Sequence, residues 1–120
     1  MIRLPPEFKH TIVSVHGKVG EEWLAGFDEL INYCVNKWRF KLLPFKKLSY
    51  NFVAPAVFED GSKSILKLGV PGAGLLSEMA VLKAFDGNGF CKLLDSEPEK
   101  GIMLLECIEP GEPLNVIRDE

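Results

Sequence analysis

Across a single Pro71-Gly72 break the sequence changes its apolar period from two to 3.6. Ser62 to Val70 reads as a strand, with Ile65 and Lys67 on one face and Leu66, Leu68 and Val70 on the other. Beyond the break, Leu75, Met79, Leu82 and Phe85 recur at spacings of four, three and three, the buried stripe of a helix. A strand apolar on both faces needs cover on both, which narrows the fold to a layered one. Two charges interrupt the pattern. Lys67 projects from an otherwise apolar strand, and Glu78 lies inside the helix stripe. A carboxylate on a core-facing stripe is costly without a partner, and Lys67, one element earlier, is the candidate. A solvated Lys67 with Glu78 snorkelling to water is the other arrangement these residues allow.

Something must cover the Leu66 face. From Glu21 to Lys37 the residues Trp23, Phe27, Leu30, Ile31, Cys34 and Trp38 follow a helical period, with acids at the start and Lys37 and Arg39 at the end, as the helix dipole prefers. This stripe is expected to pack on the back of the sheet rather than to form a ligand box. Before it, Pro5-Pro6 suggests an extended arm, and Thr11 to Val15 is a short β-branched run ending at His16-Gly17. Phe40 to Leu48 and Tyr50 to Glu59 read as strands, and Asp60-Gly61 supplies a tight hairpin into the Lys67 strand. After the Glu78 helix come a loop at Asp86-Gly87-Asn88-Gly89, a strand from Phe90 to Leu94, a polar turn from Asp95 to Lys100, and a strand from Ile102 to Ile108. The expected order is β-β-β-α-β-β in an α+β fold with a five-stranded antiparallel sheet. Residues 1–39 form an N-terminal extension, 40–108 the sheet-bearing core, and 109–120, opening with Pro110-Gly111 and Pro113, a linker-like tail.

A chain of 120 residues is one domain, large enough to bury a core without disulfides or metals. With 14 Lys and Arg against 17 Asp and Glu, net charge −3, there is no basic surplus for a nucleic-acid partner. Cys34, Cys91 and Cys107 are odd in number, widely spaced and set in apolar runs, so they read as reduced core residues. His10 and His16 have no companions at metal-ligand spacing and are assigned no chemistry. No run has the length of a signal peptide or membrane span, which points to the cytoplasm.

A strand lysine paired with the carboxylate of the next helix is how protein-kinase-like enzymes hold a nucleotide's phosphates, and Ser64-Ile65-Leu66-Lys67 stands where that pattern has V-A-I-K. The local sequences narrow this further. Leu48-Ser49-Tyr50-Asn51-Phe52-Val53, Asp60-Gly61, Ile65 to Pro71, Glu78, Asp86-Gly87 and Met103-Leu104-Leu105-Glu106 with Pro110-Gly111 together resemble the aminoglycoside/hydroxyurea antibiotic resistance kinases. Leu4-Pro5 with Phe8, Gly17 with Gly20, Trp23-Leu24 and Trp38 look like that family's leading extension, so the resemblance covers nearly the whole chain.

The resemblance implies a protein-kinase-like N-terminal lobe of an ATP- and Mg²⁺-dependent phosphotransferase. In it Lys67 would contact the phosphates, Glu78 would orient Lys67, Val53 and Ile65 would roof the adenine, and Leu105 would be the gatekeeper. The Glu106 carbonyl and Ile108 amide would meet the adenine edge. Ser49-Tyr50-Asn51 replaces the G-x-G-x-x-G of protein kinases, and its backbone amides could still approach phosphate. Neither an H-x-D followed by Asn nor a D-F-G-like segment is present, so the sequence looks like half an enzyme. Catalysis is not expected from it alone, ATP binding should be weak or absent, and the acceptor stays open between aminoglycosides, hydroxyurea and others. The reading from another class is a non-catalytic interaction module, a homodimer formed through the Val53, Ile65 and Leu105 face or the tail, where the missing C-terminal lobe would leave apolar surface bare.

Overall fold

The strand that carries Lys67 lies at the centre of the sheet. The computed structural model describes residues 2–44, 48, 51–72, 74 and 91–107. They form two helices, α1 (Pro6–Ala25) and α2 (Phe27–Trp38), and five strands, β1 (Phe40–Leu42), β2 (Phe52–Phe58), β3 (Lys63–Leu68), β4 (Cys91–Glu97) and β5 (Ile102–Cys107). Every pairing is antiparallel, and the spatial order is β1-β2-β3-β5-β4. The expected α+β class and five-stranded antiparallel sheet are therefore observed. The Glu78 helix lies outside the described residues.

Alternation sorts the two faces. Phe52, Ala54 and Ala56 of β2, Leu66 and Leu68 of β3, and Ile102 and Leu104 of β5 form one core with Phe27, Ile31 and Cys34 of α2 and Phe8 and Ile12 of α1. This is the back of the sheet, and the helices are its cover, as the Leu66, Leu68 and Val70 face requires. A chain of edge-on rings runs through it: Phe8 to Trp23 at 6.2 Å, Trp23 to Phe27 at 5.5 Å, and Phe27 to Phe52 at 5.0 Å. Each fully buried ring or leucine contributes about 1.5–3 kcal/mol by removal from water.

Five local expectations are corrected. Thr11 to Val15 is helical, because burying Phe8 and Ile12 one turn apart outweighs the β preference of Thr and Val, and Thr11 Oγ1 donates to the Glu7 carbonyl at 3.0 Å. Pro5 and Pro6 begin that helix rather than an extended arm. The single helix expected from Glu21 to Lys37 is broken at Gly26, and α1 itself kinks at Gly17, whose φ of 62° only glycine adopts readily. The first strand ends at Leu42, while the turn expected from Asp95 opens only after Glu97, as a 3₁₀ turn at Pro98–Lys100.

Two connections hold the central strands in register. The β2–β3 hairpin closes with Gly61 N donating to the Phe58 carbonyl at 2.9 Å, and Asp60 Oδ1 accepts from both Ser62 N and Ser62 Oγ. These bonds hold the Asp60 carboxyl below its ordinary value. At the start of β5, Gly101 (φ 73°) passes directly under Gly69, whose N–H donates to the Gly101 carbonyl at 3.0 Å. A Cβ on Gly101 would collide with the Gly69 carbonyl oxygen, so only glycine fits this crossing.

Candidate functional site: the sheet face opposite the helices

The register assembles the face that the helices leave. Val53, Lys67 and Met103 lie directly opposite one another across β2, β3 and β5, and Pro55, Ile65, Leu105 and Leu93 form the next row. Three residues assigned to the nucleotide, Val53, Ile65 and Lys67, thus share one face with Leu105. Their surroundings differ. Val53 keeps 38% exposure, Ile65 and Lys67 are half-buried, Leu105 falls to 7% and Met103 to zero. Among the described residues, the face is open over β2 and closed over β5.

Glu106 is exposed and stands opposite Lys92, its side chain on the helix face by alternation. Pairing of β5 with β3 stops at Ile65 and Leu105, whereas pairing with β4 runs on to Cys91 and Cys107. The Glu106–Cys107 peptide edge that faces β3 therefore lies beyond that ladder, where a ligand could use it. Asn51 is half-buried in a bend just before β2. Ser49, Tyr50, Glu78 and Ile108 lie outside the described residues.

Two features of this face went unread in the sequence. Counting back from Lys67 by four reaches Lys63, and Lys41 stands in the same row, on the far side of Val57. The second is a bulge between Leu93 and Asp95, whose sequence signal is the adjacent apolar pair Leu93-Leu94. Strict alternation from Leu93 would put Asp95 and Glu97 on the Lys67 face. The bulge sends them to the helix side, opposite Leu104 and Ile102.

There they fasten α2. Trp38 Nε1 donates to Asp95 Oδ2 at 3.0 Å, Tyr33 donates its hydroxyl hydrogen to Glu97 at 2.6 Å, and Lys37 forms an ion pair with the same carboxylate. Hydrogen bonds from Lys37 and then Tyr33 hold the Glu97 carboxyl below its usual range. The same contacts, led by the bond to Glu97, raise Lys37 and Tyr33. Burial pushes the Cys34 thiol up to about 12, in keeping with an inert core cysteine.

A cavity of about 340 Å³ lies on the helix layer and is lined by Ile2, Leu4, Leu24 and Phe27 with Arg3, Lys9 and Asp28. No strand residue contributes to it. Among the described residues no group of three His, Cys, Asp or Glu could hold a metal ion, and no helix is long and apolar enough to cross a membrane.

Comparison with known proteins bears out the family resemblance. The chain is 28% identical over 120 residues to streptomycin 6-kinase of Streptomyces griseus, covering 99% of this chain and 39% of that protein. It is 23% identical over 121 residues to streptomycin 6-kinase of Streptomyces glaucescens, and 28% identical over 116 residues to hydroxyurea phosphotransferase of Kitasatospora aureofaciens. The chain spans 34–39% of the length of these curated relatives. No family model and no solved structure matches it.

Proposed function

We propose that this chain is the nucleotide-binding lobe of an ATP-dependent phosphotransferase acting on an antibiotic-like small molecule, with its sheet arranged as in a protein-kinase-like N-terminal lobe. The observation that supports this best is the juxtaposition of Lys67 with Val53, Ile65 and Leu105 on the face opposite the helices. An apolar strip ending in a lysine matches a ligand with a flat base at one end and phosphates at the other.

Val53 and Ile65 lie over the base, and the closed Leu105 side limits how deep it can go. Lys67 neutralises the α- and β-phosphates, with Glu78 as its orienting carboxylate. The peptide edge at Glu106 and Ile108 accepts and donates at the base, and Ser49, Tyr50 and Asn51 approach the phosphates from the β2 end. ATP supplies the phosphoryl group; these residues bind and orient it. By analogy with the relatives' names, streptomycin and hydroxyurea are the first acceptors to test.

Saturation-transfer NMR with ATP tests the reading. Adenine protons should receive magnetisation from the chain with weak, millimolar-range affinity, since one wall of a cleft buries only part of the ligand. K67M should weaken the effect at least several-fold. No transfer to adenine at saturating ATP would sink the proposal.

A further inference from the structure

We propose that Lys41 and Lys63 are additional anion-recognition residues on the Lys67 face, set beyond Ile65 at the end of the strip away from Lys67, whose field draws a nucleoside triphosphate onto the sheet before Lys67 holds its phosphates. The inference rests on the nucleotide reading of this face but assigns residues that the reading does not use.

Charge sorting carries it. The chain is net negative, −3 overall, yet every charged side chain that alternation places on this face within the described strands is a lysine: Lys41, Lys63 and Lys67. The strand carboxylates Asp95, Glu97 and Glu106 all fall on the other face, the first two through the bulge. Near the hairpin, Asp60 is tied up by Ser62, and Glu59 lies 3.7 Å from Arg39. Lys41 and Lys63 are both exposed, and neither forms an ion pair among the described residues. By contrast Lys37 and Arg39, which closely precede Lys41 in sequence, are each paired with a carboxylate.

Geometry limits the partner. Lys63 and Lys67 are four residues apart on one strand, about 13 Å, and Lys41 lies two strand spacings from Lys63, roughly 10 Å. Three cations around the small apolar row of Ile65 and Pro55 fit a compact polyanion better than a nucleic-acid backbone, which needs a longer basic track. Edge protection explains a lysine on β1, the sheet's outer strand, but not Lys63 on β3, an interior strand. A ligand over Ile65 lies roughly 7 Å from Lys63 and roughly 12 Å from Lys41, comparable with the Debye length of roughly 10 Å at 0.1 M salt. They therefore act by field more than by contact.

The test is a titration of the 120-residue chain with ATP, followed by amide shifts, at about 20 mM and about 300 mM salt, where screening differs several-fold. The double variant K41Q/K63Q should weaken ATP about five-fold at low salt and hardly at all at high salt. K9Q/K92Q removes the same two charges from α1 and from the other face of the sheet, and should leave affinity unchanged. K67M should weaken ATP at both salts. Equal low-salt affinities for the native chain and K41Q/K63Q would overturn the inference while leaving the nucleotide proposal standing. If ATP does not bind, the nucleotide proposal fails, and inorganic tripolyphosphate takes over as probe. Shifts at Lys41 and Lys63 would then uphold an anion site on this face, and their absence would overturn it.

Discussion

Replacing Gly101 with alanine tests how closely β3 and β5 are held at the crossing that fixes Lys67 opposite Met103. Two costs add. An alanine at φ 73° loses about 1 kcal/mol in the left-handed region. Its Cβ would also strike the Gly69 carbonyl, so the strands must part, giving up the 3.0 Å bond from Gly69 N to the Gly101 carbonyl, about 1 kcal/mol, plus roughly 1–3 kcal/mol of overpacking. The sum is about 4 kcal/mol, a large share of the ~5–15 kcal/mol typical of a domain. G61A is the internal control: Gly61 has φ 90° but open space around its Cβ position, so it should lose only about 1 kcal/mol. Urea unfolding of both variants, followed by circular dichroism, reads the difference as a midpoint shift at constant slope. Equal midpoints for G101A and G61A would refute the close-crossing argument.

Three further outcomes follow from other parts of the structure. Glu97 has a lowered folded-state pKa, so its contribution is present above the ordinary carboxylate value and is lost as pH falls through the folded value; E97Q should cost about 1 kcal/mol at pH 7, with the gap to the native chain closing in acid thermal melts. Ser64 is buried with its hydroxyl unpartnered among the described residues, so S64A should be neutral or stabilising by up to about 1 kcal/mol in the same melts. Cys34, pushed up to about 12, should resist iodoacetamide at pH 8 in the folded chain and react on unfolding, as read by peptide mass spectrometry.

The centre of this fold was legible because alternation is a strong signal where both faces are apolar. Leu66 and Leu68 against Ile65 and Lys67 gave the two faces of β3, and the stripe from Trp23 to Trp38 identified its back cover. The α1 helix is hidden in the sequence because Thr11 and Val13 prefer strands locally, while the burial of Phe8 and Ile12 that decides the matter depends on tertiary contacts. Gly26 and Gly17 break helices in ways that a 3.6-residue period smooths over. The sequence places a turn already at Asp95 because polar residues mimic a loop. Here they are polar because Trp38, Tyr33 and Lys37 wait for them across the sheet edge. On the candidate face, Val53, Ile65, Lys67 and Leu105 were placed together by alternation and family resemblance. Lys41 and Lys63 needed the register, because two strands' relative shift is not written in either strand alone.

The most direct measurement for the central claim is an amide-shift map of the chain with ATP, comparing neighbours in the same strands. The account predicts perturbations concentrated at Val53, Ile65, Lys67 and the Glu106–Cys107 edge, with Ala54, Leu66, Leu68 and Leu104 much less affected, and all of them reduced in K67M. Shifts centred instead on Leu4, Leu24 and Phe27 around the helix-layer cavity, or unchanged by K67M, would contradict it.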